Sequence, residues 1–346
     1  GGFPDRANAD RYARQLALHG YNLARLHFVD GSLMFGRKTD FDFDPETLDR
    51  IHYFLAALKR NGIYWMIDGL SSWRGAYGGH DDRWDPGGTL KLALHLDDGA
   101  FAHWKQFTEK FFTRVNPYTG VAPIHDDALA LVILVNENNL EFESVVHDRR
   151  GKAPYDPMFA APFNAWLARH YPSSAALAKA WGGLGWTEKL ENGSIRLPAD
   201  RYADSPRLRD LQAFFTEIET ASAAKMSEAL RGFGYKGLIS TYNNWPTVQA
   251  ALSRRGLDVV TMNTYHDWAS GYAPGSKLLQ QSSLGDAANS MRMAAAARWL
   301  GKPFVISEYD HLFWNRYRYE GGLVFPAYAA LQGWDALCRH AHGPIA

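Results

Sequence analysis

The sequence contains one cysteine, Cys338, in 346 residues. A single cysteine excludes an internal disulfide framework and a cysteine-rich metal site, but it does not identify a compartment. The chain also has no excess of charge of one sign, because 37 acidic residues balance 37 basic ones. Without a large single-sign field, no nucleic-acid or membrane-surface partner is expected.

Long apolar runs are missing as well. No run approaches the roughly 20 residues that a transmembrane helix needs, so no membrane span is predicted. No signal peptide is present in this segment, which starts abruptly at "GGFPDRANAD". We therefore expect a trimmed piece of a longer chain that is flanked by further domains. The localisation stays open, with secretion or a periplasmic location as the options considered.

Short apolar runs and amphipathic stretches alternate along the chain. The runs predict seven strands at 21–28, 63–68, 128–135, 236–241, 257–265, 302–310 and 334–340. The stretches between them predict helices at 9–20, 44–62, 98–115, 157–232 (interrupted), 245–256, 286–301 and 325–333. Helix 44–62 has the clearest ends, with Asp44 as N-cap, Pro45 at the first helical position and Asn61-Gly62 as the stop. Repeated strand–helix units favour parallel pairing with right-handed crossovers.

Two ways of closing such a sheet compete. An open doubly wound sheet that binds nucleotides would have a glycine-rich phosphate loop after its first strand, and none is present. Seven apolar strands nearly fill a (β/α)8 TIM barrel, which we predict, with the first strand before residue 1 and the last helix after residue 346. The whole of 1–346 is then one catalytic barrel domain, with a helical insertion after strand 4 at about 150–232.

Polar residues follow the apolar runs at almost every strand end. In a parallel barrel these ends meet at one rim, where active sites lie. The residues concerned are Arg25, His27, Asp68, Asn136, Glu137, Asn138, Tyr242, Asn243, Asn244, Asn263, Tyr265, His266, Glu308, Tyr309, Asp310, His340 and His342. The apolar run 128–135 is followed at once by "NENN", which we interpret as the wall of a shared pocket.

Glu137 and Glu308 follow or end the predicted strands at 128–135 and 302–310. Counted with the strand expected before residue 1, these are barrel strands 4 and 7, which lie roughly opposite one another. Glycosidic hydrolysis needs two carboxyl groups in one cavity, one protonated to assist the leaving oxygen and one ionised. Mutual repulsion and burial raise the pKa of one carboxyl, while a cation holds the other ionised. Arg25 is the best candidate for that cation. A single glutamate at a strand end is more often a helix cap, but the pair argues against that reading.

A metal site is the competing interpretation of the histidines. His266 and His342 are more often hydrogen-bonded rim residues than ligands. The clusters at 78–82 and 125–127 lack a regular ligand spacing, and the second precedes its strand. No cofactor and no metal is therefore expected.

Four segments, "NLARLHF", "LVILVNENN", "NTYHDW" and "FVISEYD", together resemble the large clan of retaining glycoside hydrolases with catalytic glutamates on barrel strands 4 and 7. Cellulases and mannanases of family 5 and β-galactosidases of family 42 belong to it. The resemblance spans nearly the whole chain by the order and spacing of short motifs. It implies an enzyme that cleaves β-linked oligosaccharides or polysaccharides with net retention.

The resemblance also implies roles for individual residues. Glu137 would be the acid/base and Glu308 the nucleophile. Asn136 would hydrogen-bond the sugar 2-hydroxyl, and Arg25 and Tyr265 would keep the nucleophile ionised and oriented. The other strand-end residues expected to bind substrate or support the site are His27, Asn243, His266 and His342.

The chain departs from the family 5 pattern at three strands. Strand 6 commonly reads His-x-Tyr and here begins with Asn263; strand 2 has His27 where proline is usual. Strand 8 should end in a tryptophan that supports the sugar, but Trp334 opens this strand. Another aromatic must then provide the platform, and the candidates are Trp73, Trp245, Trp268 and Trp314. Trp314 is preferred, against the alternative that it packs in a core. Two other functions stay open: a carbohydrate-binding barrel without turnover, and a metal-dependent barrel hydrolase.

Overall fold

The computed structural model of the chain describes residues 3–71, 90–142, 156–271, 273–285 and 288–340. These ranges contain seven strands: β1 (Leu23–Leu26), β2 (Tyr64–Asp68), β3 (Leu129–Ile133), β4 (Leu238–Ser240), β5 (Val260–His266), β6 (Phe304–His311) and β7 (Ala336–Arg339). Each lies within or overlaps one of the apolar runs predicted as strands, so that prediction is confirmed. Strands this apolar are typical of a sheet that is covered on both faces.

The helices alternate with these strands. They are α1 (Arg6–Leu18), α2 (Val29–Met34), α3 (Pro45–Arg60), α4 (Leu90–Ala93), α5 (Asp98–Phe112), α6 (Asp156–His170), α7 (Ser174–Trp181), α8 (Pro206–Gly232), α9 (Val248–Arg254), α10 (Asn289–Ala295) and α11 (Tyr319–Gln332). Short 3-10 turns cover Pro123–His125 and Leu190–Asn192. None of the helices in the described ranges has the length and apolarity needed to cross a bilayer.

Helix α3 begins and ends where the sequence predicts. The Asp44 side chain accepts a hydrogen bond from the Thr47 N–H at 2.8 Å, and Pro45 occupies the first turn. The chain leaves the helix through Gly62, whose φ of 72° is in the left-handed region. Glycine adopts this conformation without the steric cost that a Cβ would impose.

All strand pairs in the two ladders are parallel, in the orders β1-β2-β3-β4 and β5-β6-β7. The two ladders meet between β4 and β5, where the Asn263 N–H donates to the Asn243 carbonyl oxygen at 2.6 Å. Apolar side chains from five strands and from the residue before β5 form one cluster inside the sheet, with its buried members Met66, Leu131, Ile133, Val259, Val305 and Cys338 and the partly buried Leu23 and Ala336. Outer helices bury their apolar faces against the other side of the sheet. The fold is that of the (β/α)8 barrel.

A helical segment between β3 and β4 adds a second layer of core. Helices α6 and α7 and the first half of α8 enclose their own buried cluster, which includes Phe159, Phe163 and Phe214. The second half of α8 instead packs Met226 and Leu230 into the barrel core. The last turns of α8 therefore serve as a barrel helix, and the extra layer ends within α8. The division into a single domain with an insertion stays a prediction.

Candidate active site

Because the strands are parallel, their carboxyl ends share one rim, and polar side chains from all seven described strands or the residues just after them meet there. The contributing residues are Arg25 and His27 (β1), Asp68 (β2), Asn136 and Glu137 (β3), Asn243 (β4), Asn263 and Tyr265 (β5), Ser307 and Glu308 (β6) and His340 (β7). Rim positions of this kind carry the reactive groups in barrel enzymes.

Glu308 lies among basic groups and hydrogen-bond donors. Arg25 Nη1 donates to its Oε1 at 2.5 Å, the Tyr265 hydroxyl donates to its Oε2, and His27 Nε2 lies 3.9 Å from Oε1. Burial alone would raise the pKa of Glu308, but the charge of Arg25 and the nearby imidazoles of His27 and His340 outweigh burial and lower it. The carboxyl is therefore held ionised.

Asp68 anchors both basic groups that face Glu308. It is 1% exposed, its Oδ1 lies 2.9 Å from Arg25 Nη2, and its Oδ2 accepts a hydrogen bond from His27 Nδ1. Although burial disfavours the charge, Arg25 and His27 lower the pKa of Asp68 to about 2. Asp68 was among the polar strand ends but not among the predicted site residues. Its signal is a carboxylate that ends an apolar strand.

Glu137 has a different environment. Its φ of 49° is in the left-handed region, its N–H donates to Asn243 Oδ1 at 2.7 Å, and Asn263 Nδ2 donates to its Oε1 at 2.8 Å. Burial, and then the negative charge of nearby Glu308, raise the pKa of Glu137. The surroundings of the pair therefore favour the protonated form of Glu137 and the ionised form of Glu308.

Carboxamides connect the two halves of this cluster. Asn136 Oδ1 accepts from Arg25 Nη2 at 2.8 Å and from Asn243 Nδ2 at 3.0 Å. Asn263, which the sequence places among the strand-end residues and marks as a departure from the family 5 pattern, accepts from the Ser307 hydroxyl at 2.6 Å and donates to Glu137. Every member of this network has a partner, which fixes the orientation of its neighbours.

A β-bulge places Ser307 and Glu308. In the pairing of β5 with β6, Met262 is opposite Ile306 but Asn263 is opposite Glu308, so Ser307 is the extra residue. A bulge of this kind breaks the alternation of side chains and redirects them, and bulges are frequent beside active sites. Both the Ser307 carbonyl oxygen and the Glu308 carboxylate are thereby available to Arg25, at 3.1 and 2.5 Å.

Other predicted site residues lie elsewhere. His266 alternates to the opposite face of β5 from Tyr265; its ring packs 4.8 Å from His311, and its Nε2 is 3.2 Å from the Gln281 carbonyl oxygen. The structure therefore does not join His266 to the glutamate pair. His342, Trp73 and the cluster at 78–82 lie outside the described residues. His340 takes the strand-8 rim position, with its ring centroid 5.8 Å from that of His27.

The tryptophans divide clearly by exposure. Trp334 is buried against Phe304 at the amino end of its strand, away from the rim, as its position predicts. Trp314 is 78% exposed on the loop that follows β6, so it is not a core residue. Trp268, on the loop after β5, is also exposed, whereas Trp245 is half-buried against Phe142. The loops of Trp268 and Trp314 are joined by a hydrogen bond from Gln280 to the Trp314 carbonyl oxygen.

Within the described ranges, no three His, Cys, Asp or Glu side chains are grouped as a metal site would require. The side chains at the rim have the groups needed to bind a substrate, to protonate a leaving group and to attack an electrophilic carbon. They include a carboxyl whose pKa is raised, a carboxylate fixed by a guanidinium and a phenol, and amide groups oriented for hydrogen bonding. These are the parts used in acid-assisted nucleophilic displacement.

Comparison with solved structures identifies the fold more closely. No family model matches the chain, and no curated protein matches its sequence. An endo-β-1,4-mannanase from Thermotoga petrophila superposes with a TM-score of 0.58 at 14% identity, covering 99% of this chain and 66% of that enzyme. An endo-1,4-β-mannanase from Rhizomucor miehei gives 0.57 at 15% identity, covering 97% and 82%. A family 5 mannosidase from the same fungus gives 0.51 at 13% identity, covering 98% and 76%.

The fold is therefore the (β/α)8 barrel that the chain shares with these mannanases and with the family 5 mannosidase, as the resemblance of the motifs predicts. The chain spans about two thirds of the length of the Thermotoga mannanase. At these identities the likeness establishes the fold, and the activity has to be argued from the residues at the rim.

Proposed function

We propose that this chain is a glycoside hydrolase that cleaves β-linked sugars with net retention. Glu137 is the acid/base and Glu308 the nucleophile. The observation that carries this proposal is the contrast in surroundings: Arg25 and the Tyr265 hydroxyl bind Glu308 and its pKa is lowered, whereas Glu137 is buried beside that charge and its pKa is raised. Pairs of carboxyl groups whose environments separate their pKa values in this way divide the roles of acid and nucleophile.

In the first step, a Glu308 oxygen bonds to the anomeric carbon while the bond to the leaving oxygen breaks. Glu137 gives its proton to that oxygen and becomes a carboxylate. In the second step, Glu137 takes a proton from water, the water oxygen bonds to the anomeric carbon, and the ester to Glu308 breaks. Two inversions give net retention and restore both protonation states.

The neighbours of the pair support these steps. Arg25 and the Tyr265 hydroxyl hold separate oxygens of Glu308, which fixes the plane of the attacking carboxylate. Asn136 has its oxygen engaged by Arg25 and Asn243, so its NH2 group is the part that can donate to a sugar hydroxyl. Orientation of this kind contributes to rate by placing reacting groups before the reaction begins.

The similar structures include endo-β-1,4-mannanases, so β-mannan and manno-oligosaccharides are the first substrates to test. A panel should add β-galactosides, β-glucosides and other β-polysaccharides, since the fold alone does not select a sugar. Product stereochemistry, followed by proton NMR of the anomeric signals, tests retention. Retention also requires the two carboxyl groups to lie about 5–5.5 Å apart, against roughly 6.5–9.5 Å for inversion.

Substitution with azide rescue assigns the two glutamates. Glu308→Ala should abolish turnover, and azide should then produce a glycosyl azide of inverted configuration. Glu137→Ala with azide should produce the β-glycosyl azide, because the intermediate on Glu308 still forms. Glu188→Ala is a matched control, since Glu188 is a buried glutamate of the helical segment whose partners are Arg207 and the N–H groups of residues 185 and 196.

Three results would oppose the proposal. Hydrolysis that survives in Glu308→Ala without azide would remove the nucleophile assignment. Turnover that depends on a metal and is lost with a chelator would favour the metal-dependent alternative. Sugar binding without hydrolysis of any member of the panel would favour the non-catalytic barrel.

A further inference from the structure

A carboxylate and a guanidinium are buried outside the rim cluster. Glu219 lies in α8 and Arg254 in α9, and both are 0% exposed. Neither hydrogen-bonds to Glu137 or Glu308. Burying such groups costs solvation, and apolar residues of similar volume often serve stability as well or better. Their contacts with two rim loops suggest a more specific role.

Glu219 holds the segment that follows Glu137. It accepts hydrogen bonds from the Leu140 N–H at 2.5 Å and from Asn139 Nδ2 at 3.0 Å, three and two residues after Glu137. Gln249 and the Ser253 hydroxyl, both in α9, donate to its other oxygen. Four donors suit an ionised carboxylate, although burial raises the pKa of Glu219 to about 7.

Arg254 holds the loop that follows β4. Its Nε donates to the Tyr242 carbonyl oxygen at 2.7 Å, and its Nη2 donates to the carbonyl oxygens of Asn244 and, at 2.8 Å, Trp245. Tyr242 and Asn244 flank Asn243, whose side chain accepts the N–H of Glu137. Arg254 therefore acts on Glu137 through Asn243, while Glu219 acts on it through Asn139 and Leu140.

The backbone in both loops is strained. Glu137, Tyr242 and Trp245 have φ values of 49°, 57° and 49°, and none is a glycine. A left-handed conformation is unfavourable for a residue with a Cβ and persists only where its surroundings impose it. The hydrogen bonds that Glu219 accepts and Arg254 donates are among the buried contacts that hold these loops.

We propose that Glu219 and Arg254 are positioning residues that aim the Glu137 carboxyl at the leaving oxygen. This inference rests on the proposed function, because it assigns the pair to the acid step of that reaction. Misplacement of an acid by about 1 Å can cost a large factor in rate. Substitution of either residue should lower kcat/KM for substrates whose leaving group needs a proton. It should not lower kcat/KM for substrates whose leaving group departs without protonation.

The test compares two substrates of the same sugar in Glu219→Gln. The glutamine side chain has nearly the same volume as glutamate. Its NH2 group must, however, face at least one of the groups that donate a hydrogen bond to Glu219 in the wild type. For an alkyl or saccharide leaving group, kcat/KM should fall by about tenfold or more, within the range that acid catalysis contributes. For a dinitrophenyl leaving group, which departs without protonation, kcat/KM should change little. Arg254→Lys, which loses the forked contacts, should show the same selective loss.

Glu188→Gln is the matched control, since it alters another buried glutamate that accepts backbone N–H groups but lies in the helical segment. It should change both substrates equally or not at all. If Glu219→Gln does not fold, Asn139→Ala cuts the same link from the loop side and is expected to give the same selectivity. Equal losses on both substrates in the folded variants would show a purely structural role. A wild-type chain that hydrolyses neither substrate would instead remove the proposed function itself.

Discussion

Two glutamates of the same type differ at this rim because their neighbours differ. Glu308 is surrounded by basic groups and a phenol, whereas Glu137 is approached by carboxamides and by the charge of Glu308 itself. The sequence locates both carboxyl groups, because each directly follows an apolar strand, and it also identifies Arg25 as the cation beside one of them. The structure places Arg25 against Glu308 and not against Glu137.

The pH dependence of activity tests this difference between the glutamates. Activity requires Glu308 ionised and Glu137 protonated. It should fall as pH decreases through the lower apparent pKa, when Glu308 gains a proton, and as pH increases through the raised pKa of Glu137. The profile of kcat/KM against pH should be bell-shaped, with two apparent pKa values that belong to the coupled pair.

Glu137→Gln identifies the basic limb. With a dinitrophenyl leaving group the variant should keep measurable kcat/KM and lose the decline at high pH, while the acidic limb remains. A basic limb that persists unchanged in this variant would assign the upper pKa to another group.

Residue-level contacts beyond the two glutamates are harder to predict from sequence. Asp68 ends a strand like several other polar residues, and only the structure shows that it pairs with both Arg25 and His27. Ser307 contacts Asn263 because of a bulge in β6. The sequence does not predict this bulge, since a strand buried on both faces lacks the alternation of apolar and polar residues that would reveal a change of register.

At the scale of elements, strands are predicted best and helix ends worst. Helix α3 has a cap, a proline and a glycine that mark its limits. Helix α11 is predicted to begin at Phe325 but begins at Tyr319. The prediction misses its first turns because two glycines and Pro326 lower the helix propensity of this stretch. The helix forms nevertheless, since it buries Phe325 and Ala329. Helix α10 is shorter than predicted and covers Asn289–Ala295, with Met291 and Ala294 buried.

The loop after β6 yields a prediction about substrate binding. Trp314 is exposed and lies six residues after Glu308, so its indole face is available as a platform for a sugar ring. Trp314→Ala should raise KM or lower kcat/KM for oligosaccharides by about tenfold, which corresponds to about 1.4 kcal/mol. The melting temperature should stay nearly constant, since an exposed side chain contributes little to the core.

Trp186→Ala provides the control for this substitution. Trp186 is 96% exposed in the helical segment and follows no barrel strand. The variant should match the wild type in both kinetics and stability. Normal kinetics together with a lower melting temperature in Trp314→Ala would move the platform to another aromatic, with exposed Trp268 next in order.

At the scale of the whole molecule, the meeting of distant residues at one rim follows from topology. Parallel strands bring their carboxyl ends together, so residues as far apart as Arg25 and Glu308 become neighbours, and this could be predicted from repeated strand–helix units. The buried layer of Glu219 and Arg254 could not, because their positions in α8 and α9 carry no motif. Their significance depends on which loops they contact.

Burial of His95 links the stability of the whole fold to pH. His95 is 8% exposed, its Nε2 donates to the Asn138 carbonyl oxygen at 3.1 Å, and its Nδ1 has no partner within the described residues. Burial lowers the pKa of His95 from 6.5 to about 4. Between these two pKa values His95 is protonated in the unfolded chain and neutral in the folded chain. The free energy of unfolding therefore decreases as the pH falls from 6.5 towards 4.

The size of this loss can be measured by urea unfolding of the wild type and His95→Phe at pH 7 and pH 5. Between these values the neutral histidine should cost the wild type on the order of 2 kcal/mol, a loss that the variant does not share. Comparing the change with pH, and not the stability itself, removes the effect of the lost hydrogen bond to Asn138. His19→Phe alters an exposed histidine and should follow the wild type. If His95→Phe loses as much stability on acidification as the wild type, then His95 accepts its proton in the folded state, and the acid sensitivity belongs to other groups.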